Sequence, residues 1–252
     1  MTFLPRLTRS TSPPAAGMVH LGPGAFFRAF IAPYTDEAIG AGIEHGEDWG
    51  IIAVSLKSPT AREALVPQGC VYTALERGPD GDTSRQVEAI TDVLVAPEDP
   101  LAVLDTMARP EIRVVSLTIT EKGYCHNPRN GSLWTDHPNV AHDIATSDAP
   151  RTALGFLVLA LSRRRESGIP PFTVLCCDNL PANGAMLRQL VIELAGRRDT
   201  AGISEGLADW IATHVAFPCT MVDRITPATT TEDLQDFAAI SGRHDSALVI
   251  HE

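Results

Sequence analysis

The sequence has no run approaching the roughly 18 apolar residues needed to span a bilayer. Its first sixteen residues lack the long apolar core of a secretory signal and carry Pro5, Pro13 and Pro14 instead. Positive charge is also short: 31 acidic against 20 basic side chains give a formal net charge of −11. That balance disfavours nonspecific binding to nucleic acid or to an anionic membrane. The five cysteines (Cys70, Cys125, Cys176, Cys177, Cys219) are odd in number and include no Cys-x-x-Cys pair. Neither a disulfide framework nor a structural zinc site is expected from them. His126, His137 and His142 lack helical metal-ligand spacing, and no Gly-x-Ser-x-Gly elbow or Walker phosphate loop occurs. These absences predict a metal-free cytoplasmic protein whose partners are small molecules rather than membranes or nucleic acids. They give no sign of oligomeric state.

What is present is a chain of 252 residues, 44% hydrophobic and 20% charged, with material for one large domain or two small ones. Short apolar runs at 17–21, 51–56, 71–75, 87–95, 114–119, 172–177 and 247–250 read as strands. Between them, 28–41, 60–66, 100–107, 152–165, 182–196, 204–215 and 231–240 read as helices. Leu187, Leu190, Val191 and Leu194 form one apolar face of the fifth of these. Arg163, Arg164 and Arg165 close the fourth, where positive charge suits a helix C-terminus. Strands that are continuous apolar runs, alternating with helices, predict a doubly wound α/β domain with a mostly parallel sheet. The domain is placed at 17–252, after an N-terminal tail at 1–16.

Ligands of such sheets bind beyond the carboxyl ends of the strands, and the polar motifs fall there. Gly22-Pro23-Gly24-Ala25-Phe26-Phe27 follows the first strand and precedes a helix. It is either a simple turn or a cradle for a pyrophosphate, with Phe27 where a dinucleotide fingerprint has its third glycine. Arg28 is a candidate phosphate contact or a solvated helix residue. No acid follows the second strand to bind ribose hydroxyls. Lys57 and Arg62 stand there instead and would suit a 2′-phosphate. Glu121-Lys122 after the 114–119 strand offers a proton path or a surface ion pair. Asp178-Asn179 after the 172–177 strand offers a helix cap, or an amide donor to a carbonyl oxygen that gains charge. Asp223-Arg224, within Phe217 to Pro227, is a further charged pair. Cys176 and Cys177 read as core.

Taken in order, His20 to Ala29, Thr118 to Tyr124, Cys177 to Gly184 and Phe217 to Pro227 resemble the mannitol dehydrogenase family of polyol-specific long-chain dehydrogenases. The resemblance implies a Rossmann-type domain that binds NAD or NADP, with NAD slightly favoured by the family and NADP allowed by Lys57 and Arg62. It implies hydride exchange between a sugar alcohol or aldonate and a keto-sugar or keto-uronate. Gly22, Gly24, Phe26 and Arg28 would line the cofactor phosphates, with Lys57 and Asn179 also at the cofactor. Glu121 would match the proton-conducting glutamate, Asn179 the asparagine that polarises the carbonyl, and Asp223 an aspartate near substrate. Phe27 and Phe30 replace histidines common in the family's first motif. The family's general-base lysine lies in a C-terminal helical domain that this sequence does not reach, so the chain alone is expected to be inactive. The alternative is a non-catalytic dinucleotide-binding module, acting as a sensor or subunit.

Overall fold

The computed structural model describes residues 4–42, 45–222 and 225–251. Five strands, β1 (Ala16–Leu21), β2 (Gly50–Ser55), β5 (Ile90–Val95), β6 (Val114–Leu117) and β7 (Thr173–Cys176), form a sheet in the order β5-β2-β1-β6-β7. Every pairing in it is parallel. The chain builds outward from β1 to one edge, then returns to β6 on the other side of β1. The order therefore reverses between β1 and β6, and a crevice opens there at the carboxyl ends.

Successive residues of a strand point to opposite faces, and here both faces are covered. Val19 and Leu21 of β1 and Ile52 and Val54 of β2 enter one core with Leu104, Phe156, Leu187 and Leu190. Those partners come from α3 (Pro100–Ala108), α5 (Ala153–Glu166) and α6 (Asn183–Thr200). Met18, Ile51 and Ala53 enter the other core with Phe27, Phe30, Leu65 and Tyr72. This two-sided burial is why the strands read as unbroken apolar runs.

The smaller sheet differs from expectation. β3 (Tyr72–Gly78) and β4 (Gly81–Val87) form an antiparallel hairpin, and β8 (Val249–His251) adds parallel to β3. The run 87–95 is thus two strands. Val87 pairs with Tyr72 in the small sheet, whereas Ile90 pairs with Ile51 in the large one. Between them the Glu88 amide donates to Asp36, and the Ala89 carbonyl accepts from Ile51. An apolar run shows that both segments are buried, not that they share a sheet.

α1 (Ala32–Gly40), α2 (Thr60–Leu65), α7 (Leu207–His214) and α8 (Thr231–Ser241) lie where helices are expected, and α4 (Pro138–Ala145) is additional. α4 is short, only eight residues. Its signals are Pro138 at the first turn and the His137 side chain accepting from the Asn139 amide. Residues 4–15 run against the body: Arg6 pairs with His244, and Arg9 donates to the carbonyls of Gly69, Glu88 and Ile90. Among the described residues no helix is long and apolar enough to cross a membrane.

Candidate functional site

At the carboxyl ends of β1, β2 and β6 lies a cleft of about 590 Å³. Its floor is the glycine turn. Gly22 has φ +95, and a Cβ there would sit 2.2 Å from the Thr118 carbonyl oxygen, so only glycine fits. The Gly22 amide donates to Val54 at 2.9 Å, and the Gly24 amide donates to Gly22 at 2.7 Å, folding the turn back over β1. Gly24 is the opposite case: a Cβ there would meet nothing nearer than 4.0 Å and would project into the open cradle. The helix that follows opens at Ala25-Phe26, takes π geometry over Phe27–Ile31 and continues as α1, a departure that recurs at functional sites.

Arg28 lines the cleft. One guanidinium nitrogen donates to the Ala247 carbonyl at 2.5 Å, and the Arg28 carbonyl accepts from the Tyr72 hydroxyl at 2.6 Å. Its Nε is buried without a partner. Burial lowers the pKa of the group, with Tyr72 and Asp245 acting in the opposite direction. A buried cation with an unspent donor, beside an open glycine cradle at a helix N-terminus, fits a diphosphate.

Gly22, Gly24, Arg28 and Lys57 are all on the cleft wall; Phe26 is not. At about 100° per residue, its position two beyond Gly24 turns it away from the cradle, and its ring packs on Phe30 at 5.1 Å. Arg62 also faces away. Thr60, Ala61, Ala64 and Leu65 present the cleft face of α2, while Arg62 binds Glu98 through two bonds of 2.5 and 2.9 Å. The positive charge expected at the ribose end therefore reduces to exposed Lys57. Replacing Glu98→Gln should release Arg62 and strengthen NADPH binding about fivefold with NADH little changed, in parallel fluorescence titrations.

Across the cleft, Thr118, Ile119 and Thr120 continue β6. Thr120 has φ 65 and ψ 159, a conformation that non-glycine residues rarely hold. Asp178, at the end of neighbouring β7, holds it there: its carboxylate accepts from the Ile119 amide (2.9 Å), the Thr120 amide (3.3 Å) and the Tyr124 hydroxyl (2.6 Å). The clamp ties the turn carrying Glu121 to the strand end carrying Asn179. Both of those side chains are exposed, and neither lines the cleft. Glu121 lies 3.6 Å from His126 Nε2. Asp223 and Arg224 lie outside the described residues. Cys176 and Cys177 are core, and burial pushes the Cys177 thiol up to about 12.

Four residues contribute in ways that their sequence positions do not show. Asn183, buried at the start of α6, donates through Nδ2 to the carbonyls of Cys176, Asp178 and Thr220 and to the Thr220 hydroxyl. His20 opens the His20 to Ala29 segment, but its place in an apolar strand gives it no role of its own. Ser246 and Leu248 complete the cleft wall from more than 200 residues away in sequence, a proximity that no local pattern encodes.

A glycine turn at the reversal point of a doubly wound parallel sheet defines a dinucleotide-binding domain of Rossmann type. The chain matches the mannitol dehydrogenase Rossmann domain over residues 16–252, and it belongs to that family. It is 43% identical to the mannitol 2-dehydrogenase of Pyrenophora tritici-repentis, over 94% of this chain and 41% of the relative. To the D-mannonate oxidoreductase of Escherichia coli K12 it is 40% identical, over 93% of this chain and 48% of the relative. The solved ternary complex of Pseudomonas fluorescens mannitol 2-dehydrogenase with NAD and D-mannitol superposes with a TM-score of 0.87 at 40% identity. That match covers 98% of this chain and 50% of the solved one. The chain thus spans about half the length of these relatives.

Proposed function

We propose that residues 17–252 form the cofactor-binding domain of an oxidoreductase that interconverts a sugar alcohol or aldonate with the corresponding keto-sugar or keto-uronate. NAD or NADP, when bound, supplies the hydride acceptor or donor. The observation that carries the reading is the open cradle at Gly24 beside the unpartnered Arg28 Nε. Gly22 shapes the turn, Gly24 admits the pyrophosphate, Arg28 balances its charge, and the helix opening at Ala25-Phe26 adds its N-terminal dipole. Lys57 contacts the adenosine ribose end. The relatives' names, mannitol 2-dehydrogenase and D-mannonate oxidoreductase, support a polyol or aldonate as substrate.

In this reading Asn179 donates its amide to the substrate oxygen as that oxygen gains charge, Glu121 passes the proton toward solvent, and Asp223 lies near the substrate. Both lysines of the sequence, Lys57 and Lys122, are solvent-exposed, whereas a base for the carbinol proton works from a water-excluded site. The chain alone therefore binds cofactor without turnover. The cytoplasm suits the exposed free thiol of Cys219.

The test is a fluorescence titration of the chain with NADH and with NADPH, followed by a search for NAD reduction in the presence of mannitol or mannonate. Saturable binding without reduction is expected. A folded protein that binds neither dinucleotide overturns the cofactor reading. Measurable reduction overturns the assignment of the chain as catalytically silent.

A further inference from the structure

His20 is fully buried in β1, yet both of its ring nitrogens are engaged. Nδ1 lies 2.8 Å from the Ser116 hydroxyl, and Nε2 lies 2.8 Å from the Thr118 hydroxyl and 3.2 Å from the Gly22 carbonyl oxygen. The Thr118 hydroxyl in turn donates to that same Gly22 carbonyl at 2.7 Å. The Gly22 carbonyl beside Nε2 can only accept, which places the proton of His20 on Nε2, where the Thr118 oxygen accepts it while donating its own proton to Gly22. Nδ1 is then the acceptor from Ser116. Burial holds the ring neutral, with its pKa lowered to about 3.

If the network only satisfied a buried ring, it could stop at Ser116 and Thr118. Instead it continues into the turn that lines the cleft. Pro23 has no N–H, so the plane of the Gly22–Pro23 peptide is fixed through the Gly22 carbonyl, which accepts from Thr118, His20 and Gly24. The far end of the turn is held by the same side chain. Phe27 stacks on the imidazole with ring centroids 3.8 Å apart and planes 13° from parallel.

We infer that His20, acting through the Thr118 hydroxyl and the Phe27 ring, is a positioning residue that sets the shape of the phosphate cradle at Gly22–Gly24. The inference rests on the dinucleotide reading above. It assigns affinity for the pyrophosphate to a side chain that does not line the cleft.

The experiment compares Thr118→Val with Thr118→Ser and the wild-type chain, titrating NADH, ADP-ribose and adenosine. Thr118→Val should weaken NADH and ADP-ribose about five- to tenfold while leaving adenosine within about twofold. Thr118→Ser, which keeps the hydroxyl, should recover most of the loss. Unchanged NADH affinity in Thr118→Val overturns the inference, and so does an equal loss of adenosine. Should Thr118→Val fail to fold, nitrogen NMR of the wild-type imidazole decides: protonation at Nε2 with Nδ1 bare supports the relay, and an Nδ1–H tautomer or an imidazolium near neutral pH overturns it. Wild-type protein that binds no NADH or ADP-ribose removes the dinucleotide reading itself, and the inference with it. Wild-type binding with an indifferent variant removes the inference alone.

Discussion

Gly22→Ala and Gly24→Val should fail in opposite ways, although the two glycines are separated by one residue. At Gly22 the added methyl would lie 2.2 Å from a backbone carbonyl oxygen, at φ +95. Neither the carbonyl of Thr118 nor the turn can move without disturbing the β1–β6 pairing, in which His20 faces Ser116 and Leu21 faces Leu117. The expected cost is roughly 3–5 kcal/mol of folding stability, read as a large drop in the urea midpoint. At Gly24 the nearest atom to a new Cβ is 4.0 Å away, so the melting temperature should hardly change. The valine side chain would instead occupy the cradle, and NADH affinity should fall at least about 30-fold, since the diphosphate loses close backbone approach. A stable Gly22→Ala protein would show that the turn is looser than its contacts imply. A Gly24→Val protein that still binds NADH tightly would place the pyrophosphate elsewhere.

The second large effect is expected at Asn183. Its amide supplies the donors that join the end of β7 to residue 220, and its Oδ1 accepts from the amides of Gly184 and Thr220. Asn183→Ala removes that partner from the Asp178 carbonyl and the Gly184 and Thr220 amides, while the Thr220 hydroxyl still donates to Cys176, and should cost about 3 kcal/mol. Hydrogen exchange at the Thr220 amide should accelerate more than exchange in β1. Asn183→Asp should cost more than alanine near neutral pH, because it directs a carboxylate at the carbonyl oxygens of Cys176, Asp178 and Thr220. The folded state raises the pKa of such a carboxyl, so the loss is full above that raised value. It lessens as the pH falls and the protonated acid regains a donor. An aspartate variant as stable as wild type at neutral pH would mean that the Phe217–Thr220 segment is anchored by other contacts.

How much of this was readable from residues alone varies by physical cause. The central strands were legible because burial on both faces leaves an unbroken apolar signature, as in β2, where Gly50–Ser55 is buried throughout. The transfer of the chain between sheets at Glu88–Ala89 was not, since hydrophobicity reports burial and not pairing partners. The position of the glycine turn was visible, because strand, glycines and helix follow one another directly. The cleft's other wall was hidden, being built by residues 228–248 that become neighbours only on folding. Arg62 shows the same limit on charge: its sign was plain, but its commitment to Glu98 depended on a helix face and a distant turn. His20 opened the first motif of the family resemblance, but a buried hydrogen-bonded histidine and a working one look alike in a string of letters.

The bond from Arg28 to the Ala247 carbonyl joins positions 219 residues apart, and this separation bears on how the binding surface comes into being. Loops of such length close slowly, and contacts of high sequence separation form late. During synthesis the glycine turn and the Thr118–Thr120 wall emerge first, and the cleft is not closed until residues 246–248 have left the ribosome. A nascent chain has a phosphate turn without a closed pocket. Stabilisation by dinucleotide through the complete cleft is therefore expected only once β8 has paired with β3.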